Sequence, residues 1–115
     1  MKALKINSGT QKIEEVTIKS WKDIAPEIGN GCEIFTAPIE LENMDTLYAD
    51  DEGLYNSFEG GFMMEDWSYP IVGNGLLVGT NDEGESVNVK TTKEELEKMI
   101  IWVSKADAQK HASQF

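Results

Sequence analysis

Residues 69–90 constrain the fold more than any other stretch, because they form the most apolar run before the C-terminal helical pattern and have turn residues on both sides. Residues 76–78 are apolar, but they are too few and too closely flanked by glycine to form a helix, so we expect a buried strand there. Residues 81–84 are typical of a tight reversal, and residues 86–90 of a returning strand. The sequence therefore predicts a central β-hairpin that the rest of the chain covers.

Two β-type segments open the chain. Residues 3–6 and 13–18 are rich in β-branched side chains, and they flank a turn at residues 8–11 that contains glycine. This pattern is typical of a hairpin whose side chains alternate between two faces. We therefore expect an N-terminal hairpin.

A short helix follows this hairpin. Ser20, with Asp23 three residues later, has the pattern of a capping box at a helix start. Pro26 lies too deep for the first turn of a helix that starts at Ser20, so it should kink or divide the helix. Residues 29–31 tolerate positive φ and should end it.

The middle of the chain predicts two more strands. Residues 32–39 form the first, and Pro38 favours a place at the edge of the sheet. Residues 46–49 form the second. We expect a loop at residues 56–61, and an irregular segment with exposed aromatic side chains at residues 62–67.

The C-terminal pattern predicts one helix. Two overlapping capping boxes begin at Thr91 and Thr92. Apolar residues then recur at helical spacing: Leu96, Met99, Ile100, Val103 and Ala106. Ile101 and Trp102 lie off this stripe, so either the sheet wraps around the helix or a partner covers it. A homodimer would supply such a partner.

These elements predict a single α+β domain over residues 1–115. We expect a twisted antiparallel sheet of about five or six strands, with the C-terminal helix packed on one face and the short helix after the N-terminal hairpin. The strands should be antiparallel because their connections are short, whereas parallel pairing needs long crossovers.

The charge of the chain is strongly segregated. The formal net charge is −11, and all ten basic residues are lysines at positions 2–22 and 90–110. Fifteen acidic residues lie between Asp23 and Val89 with no basic residue among them. Such an interval repels phosphates, which argues against direct binding of nucleic acid. It would attract a basic surface, although it would equally serve to keep a small protein in solution.

The composition also predicts a location. The single cysteine, Cys32, allows no intramolecular disulfide, which suits a reducing compartment. No N-terminal apolar segment follows a basic start, and the longest apolar run, residues 99–103, is too short to span a bilayer. We expect a cytoplasmic protein without a membrane segment.

The side chains that catalysis needs are sparse. Nucleophilic catalysis requires a nucleophile, a base and an orienting group, and the chain has one cysteine and one histidine, Cys32 and His111. We expect His111 to cap the C-terminal helix or to face water rather than to pair with Cys32. The sequence therefore predicts no catalytic residue and a protein that is not an enzyme.

Metal and phosphate motifs are incomplete as well. The Asp-Glu-Gly triplets at residues 51–53 and 82–84 lack the alternating ligands and distal glutamate of a calcium loop, and they fit β-turns instead. The glycines on either side of Asn74 lack the lysine of a phosphate loop. We expect neither a metal ion nor a cofactor.

Aromatic side chains inside the acidic interval suggest a binding surface, because aromatic residues with a charged rim are favoured at interfaces. They also suit a small core, and we expect Phe62 and Trp67 to be the exposed ones. The partner-binding residues predicted on this basis are Asp50, Asp51, Glu52, Glu59, Phe62, Glu65, Asp66 and Trp67.

The order of motifs resembles a known family. Residues 47–54 read LYADDEGL, residues 71–79 read IVGNGLLVG, and a DEGE turn and a threonine-capped acidic helix start follow. This is similar to the phage- and plasmid-borne family of small domains of unknown function numbered 3846 in that series. The resemblance implies a mobile-element origin, often beside anti-restriction genes, and supplies no catalytic residues.

Charge and resemblance together favour one function. We expect a non-enzymatic phage or mobile-element protein that presents its acidic surface to a basic, nucleic-acid-binding host protein and inhibits it, such as a defence nuclease in the manner of an anti-restriction or anti-CRISPR protein. The alternative is a protein that sequesters a small molecule or nucleotide signal, at a dimer interface near residues 62–69. It ranks second because anions suit an acidic, arginine-free surface poorly.

Overall fold

The structure is a computed structural model that describes residues 1–29, 31–52, 58–65 and 70–112, without the side chains of residues 111 and 112. Its elements follow one another as β1 (Lys2–Asn7), β2 (Lys12–Thr17), a 3₁₀ turn (Trp21–Asp23), α1 (Ile24–Ile28), β3 (Phe35–Glu40), β4 (Thr46–Asp50), β5 (Gly60–Met64), β6 (Ile71–Val72), β7 (Gly75–Thr80), β8 (Ser86–Val87), α2 (Lys93–Met99), β9 (Ile100–Ser104) and α3 (Lys105–Ala112).

The larger sheet has β7 at its centre, in the order β2-β1-β7-β4-β3, with β8 paired to the far end of β7. All of these pairings are antiparallel, and Leu77 of β7 lies between Leu4 of β1 and Leu47 of β4. Five of the six residues of β7 are buried. The predicted α+β class, the antiparallel sheet and the buried strand at residues 76–78 are therefore confirmed.

Both faces of this sheet are covered, because successive side chains of a strand point to opposite faces. On one face, Ala3, Leu76 and Val78 pack with residues of α1 and its approach: Ile18, Ile24 and Ile28. The opposite face carries the larger part of the core: Leu4, Ile6, Ile13, Leu47, Ala49, Phe62, Met64, Ile71, Leu77, Val89, Leu96 and Ile100. The elements that cover this opposite face are β5, β6, β9 and α2.

The C-terminal segment differs from the single predicted helix. α2 ends at Met99, Ile100 adopts extended angles (φ −88°, ψ 133°), and β9 pairs antiparallel with β5 before α3 begins. Residues 100–103 are β-branched or aromatic, and side chains of this kind favour a strand. Ile100 is buried and Ile101 is exposed, which is the two-residue alternation of a strand rather than the spacing of a helix.

The segment predicted as irregular also forms a strand. Gly60–Met64 is β5, the centre of a three-stranded sheet in the order β6-β5-β9. Phe62, which we expected to be exposed, has no exposed surface. A Cβ on Gly75 would lie only 2.7 Å from the Phe62 ring, so the glycine of β7 makes room for this side chain.

The predicted helix caps and the predicted edge strand agree more closely with the structure. Ser20 and Asp23 form the predicted capping box, and the segment after them is divided into the 3₁₀ turn and α1. Thr92 and Glu95 form the second capping box. β3 lies at the edge of the larger sheet, and its register with β4 shifts around Pro38, although the strand starts at Phe35 rather than at residue 32.

The glycine pair around Asn74 has a structural role. Gly73 has φ +88°, a conformation that glycine adopts without strain. The Asn74 side chain is buried, where it accepts a hydrogen bond from the Ser8 backbone N–H (2.9 Å) and donates one to the Ile28 carbonyl (3.0 Å). Through Asn74, this stretch therefore links the end of β1 to α1.

Of the helices in the described part of the chain, none has the length and apolar character needed to cross a membrane.

Candidate functional site

A buried carboxylate joins the β3–β4 hairpin to the start of α2. Asp45 is fully buried, and its Oδ2 accepts hydrogen bonds from the Thr91 backbone N–H (2.7 Å) and the Thr91 hydroxyl (2.6 Å). The Lys90 backbone N–H adds a bond to each carboxylate oxygen at 3.1 Å. Asn43 Nδ2 donates to Thr91 Oγ1 at 3.0 Å. Hydrogen bonds to a buried charged group are among the stronger ones, so the hairpin and the helix are held in fixed relation.

This connection fixes the walls of a groove of about 600 Å³ that is open to solvent. The β3–β4 hairpin forms one wall, one face of α2 forms the other, and the end of β5 lies between them. The lining residues are Pro38, Ile39, Glu40, Leu41, Glu42, Asn43, Met64, Glu65, Thr91, Glu95 and Met99. We call this feature the acidic groove.

The floor of the acidic groove is apolar. Met64 is 4% exposed and belongs to the core, while Ile39, Leu41 and Met99 are partly buried and pack against that core. The floor is therefore an outward extension of the packed interior, and its shape is set by core packing.

Four glutamates line the groove around this floor, and we call their carboxylates the rim: Glu40, Glu42, Glu65 and Glu95. All four are exposed, and among the described residues no lysine lines the groove or pairs with any of them. The Glu95 carboxylate accepts a hydrogen bond from the Thr92 backbone N–H at 3.2 Å, which orients it. Like charges around a concave surface focus the electrostatic field, so the groove attracts cations.

The predicted partner-binding residues do not form one surface. Ala49 pairs with Gly75 at the start of β7, whereas Thr46 pairs with Val78 near its end. Asp50, Asp51 and Glu52 therefore lie at one end of the sheet, and the acidic groove lies at the other. Among the predicted residues that the structure describes, Glu65 alone lines the groove.

The remaining residues of the predicted partner-binding set lie in different parts of the chain and outside the groove or outside the described residues. Glu59 lies against the β1–β2 turn beside Gly9, and its carboxylate is 3.7 Å from Lys105 Nζ. Phe62 lies in the core, so its prediction as a partner-contacting residue is wrong, because the alternation of β5 turns its ring toward β7. Asp66 and Trp67 lie outside the described residues.

Sequence reasoning missed three of the groove's glutamates. Glu40 and Glu42 alternate with Ile39 and Leu41, a period of two that was present in the sequence and that marks a half-buried extended segment. Glu95 was interpreted only as a capping residue. No local pattern signalled that the hairpin and α2 would come together, because the Asp45–Thr91 contact joins positions 46 residues apart.

Cys32 has poor properties for a nucleophile. Burial, together with the negative charges of Asp50 and Glu52 and a hydrogen bond with Asp50, raises the pKa of the Cys32 thiol to about 11. The reactive thiolate is therefore scarce at neutral pH. The prediction that His111 does not pair with Cys32 stays untested, since the His111 side chain lies outside what the structure describes.

The acidic segments that begin at Asp50 and Asn81 have the hydrogen bonds of turns. Asn81 Oδ1 accepts hydrogen bonds from the backbone N–H groups of Glu83 (3.0 Å) and Glu85 (2.9 Å), and Gly84 has φ +80°. Asp50 Oδ1 likewise accepts one from the Glu52 N–H at 2.9 Å. Among residues 1–29, 31–52, 58–65 and 70–112, no three histidine, cysteine or acidic side chains are grouped so as to hold a metal ion.

Comparison with known proteins gives one result. A family model described as "Domain of unknown function (DUF3846)" matches residues 1–101. The chain belongs to this family. The DUF3846 match includes every residue that lines the acidic groove and ends inside β9, so α3 lies beyond it. Neither the curated proteins nor the solved structures contain a match to the chain.

Proposed function

We propose that this protein is a non-enzymatic accessory protein of a phage or other mobile element that binds a basic, nucleic-acid-binding host protein through its acidic surface and inhibits it. One observation supports the proposal above the others: fifteen acidic residues and no basic residue lie between Asp23 and Val89. The mobile-element context and the choice of a defence enzyme as target come from the family resemblance.

The distribution of ion pairs adds support. The described ion pairs use lysines from the ends of the chain, Lys2 with Glu15 at 3.9 Å and Lys105 with Glu59. Most of the acidic interval is therefore left to act on molecules outside the protein. Complementary charge speeds encounter with a basic partner and disfavours acidic ones, and ions in solution screen the effect.

A small-molecule-binding function is the second candidate. The volume of the acidic groove, about 600 Å³, lies within the range of ligand pockets. Its four glutamates favour a cation over a nucleotide signal, because phosphates would be repelled. Mass spectrometry of the purified protein would test this candidate, and a retained nucleotide would place it first.

The decisive experiment for the proposed function is capture followed by an inhibition assay. The tagged 115-residue chain is incubated with host lysate at low salt and at about 0.5 M salt, where exposed charges are largely screened. We expect one dominant basic partner that the high salt releases. The nuclease or binding activity of that partner, once purified, should then fall when the acidic protein is added.

A matched pair of variants controls for total charge. D51K/E52K/E65K reverses three acids inside the acidic interval, and E14K/E15K/E97K reverses three outside it. Three reversals of two units each change the net charge from −11 to −5 in both variants. We expect the first variant to lose inhibition and the second to keep most of it. Full inhibition by the first variant would contradict the proposal.

A further inference from the structure

We propose that the acidic groove is the anchoring site for a basic segment of a protein partner, and that it holds an arginine or lysine side chain whose neighbours in that segment are apolar. This inference rests on the proposed function and names the part of the surface that recognises the partner. It is carried by the combination of an apolar floor and a carboxylate rim in one groove.

The floor suits the stem of a long basic side chain. Lysine and arginine bury their methylene groups against apolar surface while the charged head stays near water or a counter-charge. Met64 and Met99 offer flexible, polarisable side chains for such contacts, and Ile39 and Leu41 extend the apolar surface along the hairpin.

The rim suits the charged head. Glu40 and Glu42 come from the hairpin, Glu65 follows β5, and Glu95 lies on α2, so the four carboxylates lie on three different elements around the floor. A cation in the groove is therefore approached from more than one side. A neutral apolar ligand would partly desolvate these carboxylates without compensation, and an anion would be repelled.

The groove is also prepared for binding. The hydrogen bonds of Asp45 to Lys90 and Thr91 hold the hairpin against α2, so the two walls need no ordering when a ligand enters. A preformed site pays less in lost conformational freedom on association. Because the groove is open to solvent and larger than one side chain, it can accept a short segment of a folded or extended partner rather than only a free small molecule.

The test uses the 115-residue chain and a synthetic peptide with one central arginine between leucines. A second peptide carries citrulline, which is uncharged and nearly the same shape, in place of the arginine. Binding is measured by calorimetry, and its position by NMR of the isotope-labelled protein. We expect shift changes at Leu41, Met64, Glu65 and Met99, and roughly tenfold weaker binding of the citrulline peptide, the effect of losing one charge-assisted contact.

Two triple variants of equal charge separate the groove from general acidity. E40Q/E42Q/E65Q neutralises three rim carboxylates, whereas E14Q/E33Q/E83Q neutralises three exposed carboxylates outside the groove, and both change the net charge from −11 to −8. We expect the dissociation constant of the arginine peptide to rise roughly tenfold or more in the groove variant and less than about twofold in the other. Amide spectra of both variants show whether the fold is kept.

Three results would overturn the inference. They are an absence of shift changes at the groove with millimolar arginine peptide, equal loss of binding in the two triple variants, and binding of spermidine, a free polyamine, at least as tight as that of the peptide. Equal loss would leave the proposed function in place, because acidity as a whole would then recruit the partner. If instead no basic protein is captured or inhibited while the peptide binds as expected, the proposed function fails and the groove remains a receptor for basic segments.

Discussion

The two ends of the larger sheet carry similar charge in different settings. At the end of β4, Asp50 accepts a hydrogen bond from the Glu52 backbone N–H, and Asp51 and Glu52 follow in a turn. Burial, and after it the negative charge of Asp50, raises the pKa of Cys32. At the opposite end, the glutamates of the acidic groove surround an apolar floor. The first group stabilises its own turn and acts on the neighbouring Cys32 thiol. The second group lines a groove that a ligand can fill.

This difference shows that the number of acids does not identify a binding site. The end of β4 and the turn after it carry three consecutive acids, and all three were predicted from the sequence to bind a partner. The acids of the groove are scattered over 56 positions, from Glu40 to Glu95, and are brought together by tertiary structure. What distinguishes the groove is shape and apolar surface next to charge, which is the usual anatomy of a recognition site.

The largest expected effect is on the free energy of unfolding, and it comes from Phe62, which was predicted to be exposed but is buried. Phe62→Ala should destabilise the protein by about 4 kcal/mol, because the ring is fully buried beneath β7 and its removal leaves a cavity. Urea unfolding followed by circular dichroism measures the loss. Met63→Ala, at the partly exposed neighbouring position of β5, is the control with a smaller expected loss. A loss below about 1 kcal/mol for Phe62→Ala would mean that the ring is not core.

The second effect concerns what holds the groove together. Asp45→Ala should cost about 3 kcal/mol, since it leaves the buried backbone N–H and hydroxyl of Thr91 and the partly buried N–H of Lys90 without this acceptor. Asp45→Asn keeps one acceptor oxygen and should cost less. Asp51→Ala, in the exposed turn beyond β4, should change the free energy of unfolding by less than about 0.5 kcal/mol. Equal effects of Asp45→Ala and Asp51→Ala would erase the distinction between the two ends.

Features that depend on a few neighbouring residues were predicted correctly from the sequence. The central strand at residues 76–78, the capping boxes at Ser20 and Thr92, and the edge position marked by Pro38 are all confirmed. Each depends on backbone chemistry within a few residues. Such features could be predicted because the cause and the effect lie close together in the chain.

Non-local features could not be predicted in the same way. The helical spacing of Leu96, Met99 and Ile100 was continued into β9, where β propensity and pairing with β5 prevail over it. Phe62 was expected to be exposed, yet the glycines that precede it allow close packing with β6 and β9, and Gly75 makes room for its ring under β7. The acidic groove depends on the Asp45–Thr91 contact, which no periodicity reveals.

A third prediction probes the charge beyond β4 through its nearest thiol. Asp50→Asn with Glu52→Gln should lower the pKa of Cys32 from about 11, because two negative charges near the thiolate are removed. Burial is the larger cause of the raised pKa, so the fall is partial. Alkylation by iodoacetamide at pH 8 should become severalfold faster, since more of the thiol is then ionised. Asp82→Asn with Glu83→Gln, in the distant β7–β8 turn, should leave the rate unchanged, and an unchanged rate in both variants would contradict the prediction.

The smallest expected effect has opposite signs at two glutamates. Glu42→Gln should raise the free energy of unfolding by a few tenths of a kcal/mol at low salt, because it relieves repulsion among the carboxylates of the groove. Glu59→Gln should instead leave stability unchanged or lower it slightly, because it removes the exposed ion pair with Lys105. Urea unfolding at low salt and at about 0.5 M salt measures both, and screening should shrink each difference. If Glu42→Gln were destabilising, the rim carboxylates would be engaged within the protein, and the acidic groove would not have the unpaired charge that binding a basic segment requires.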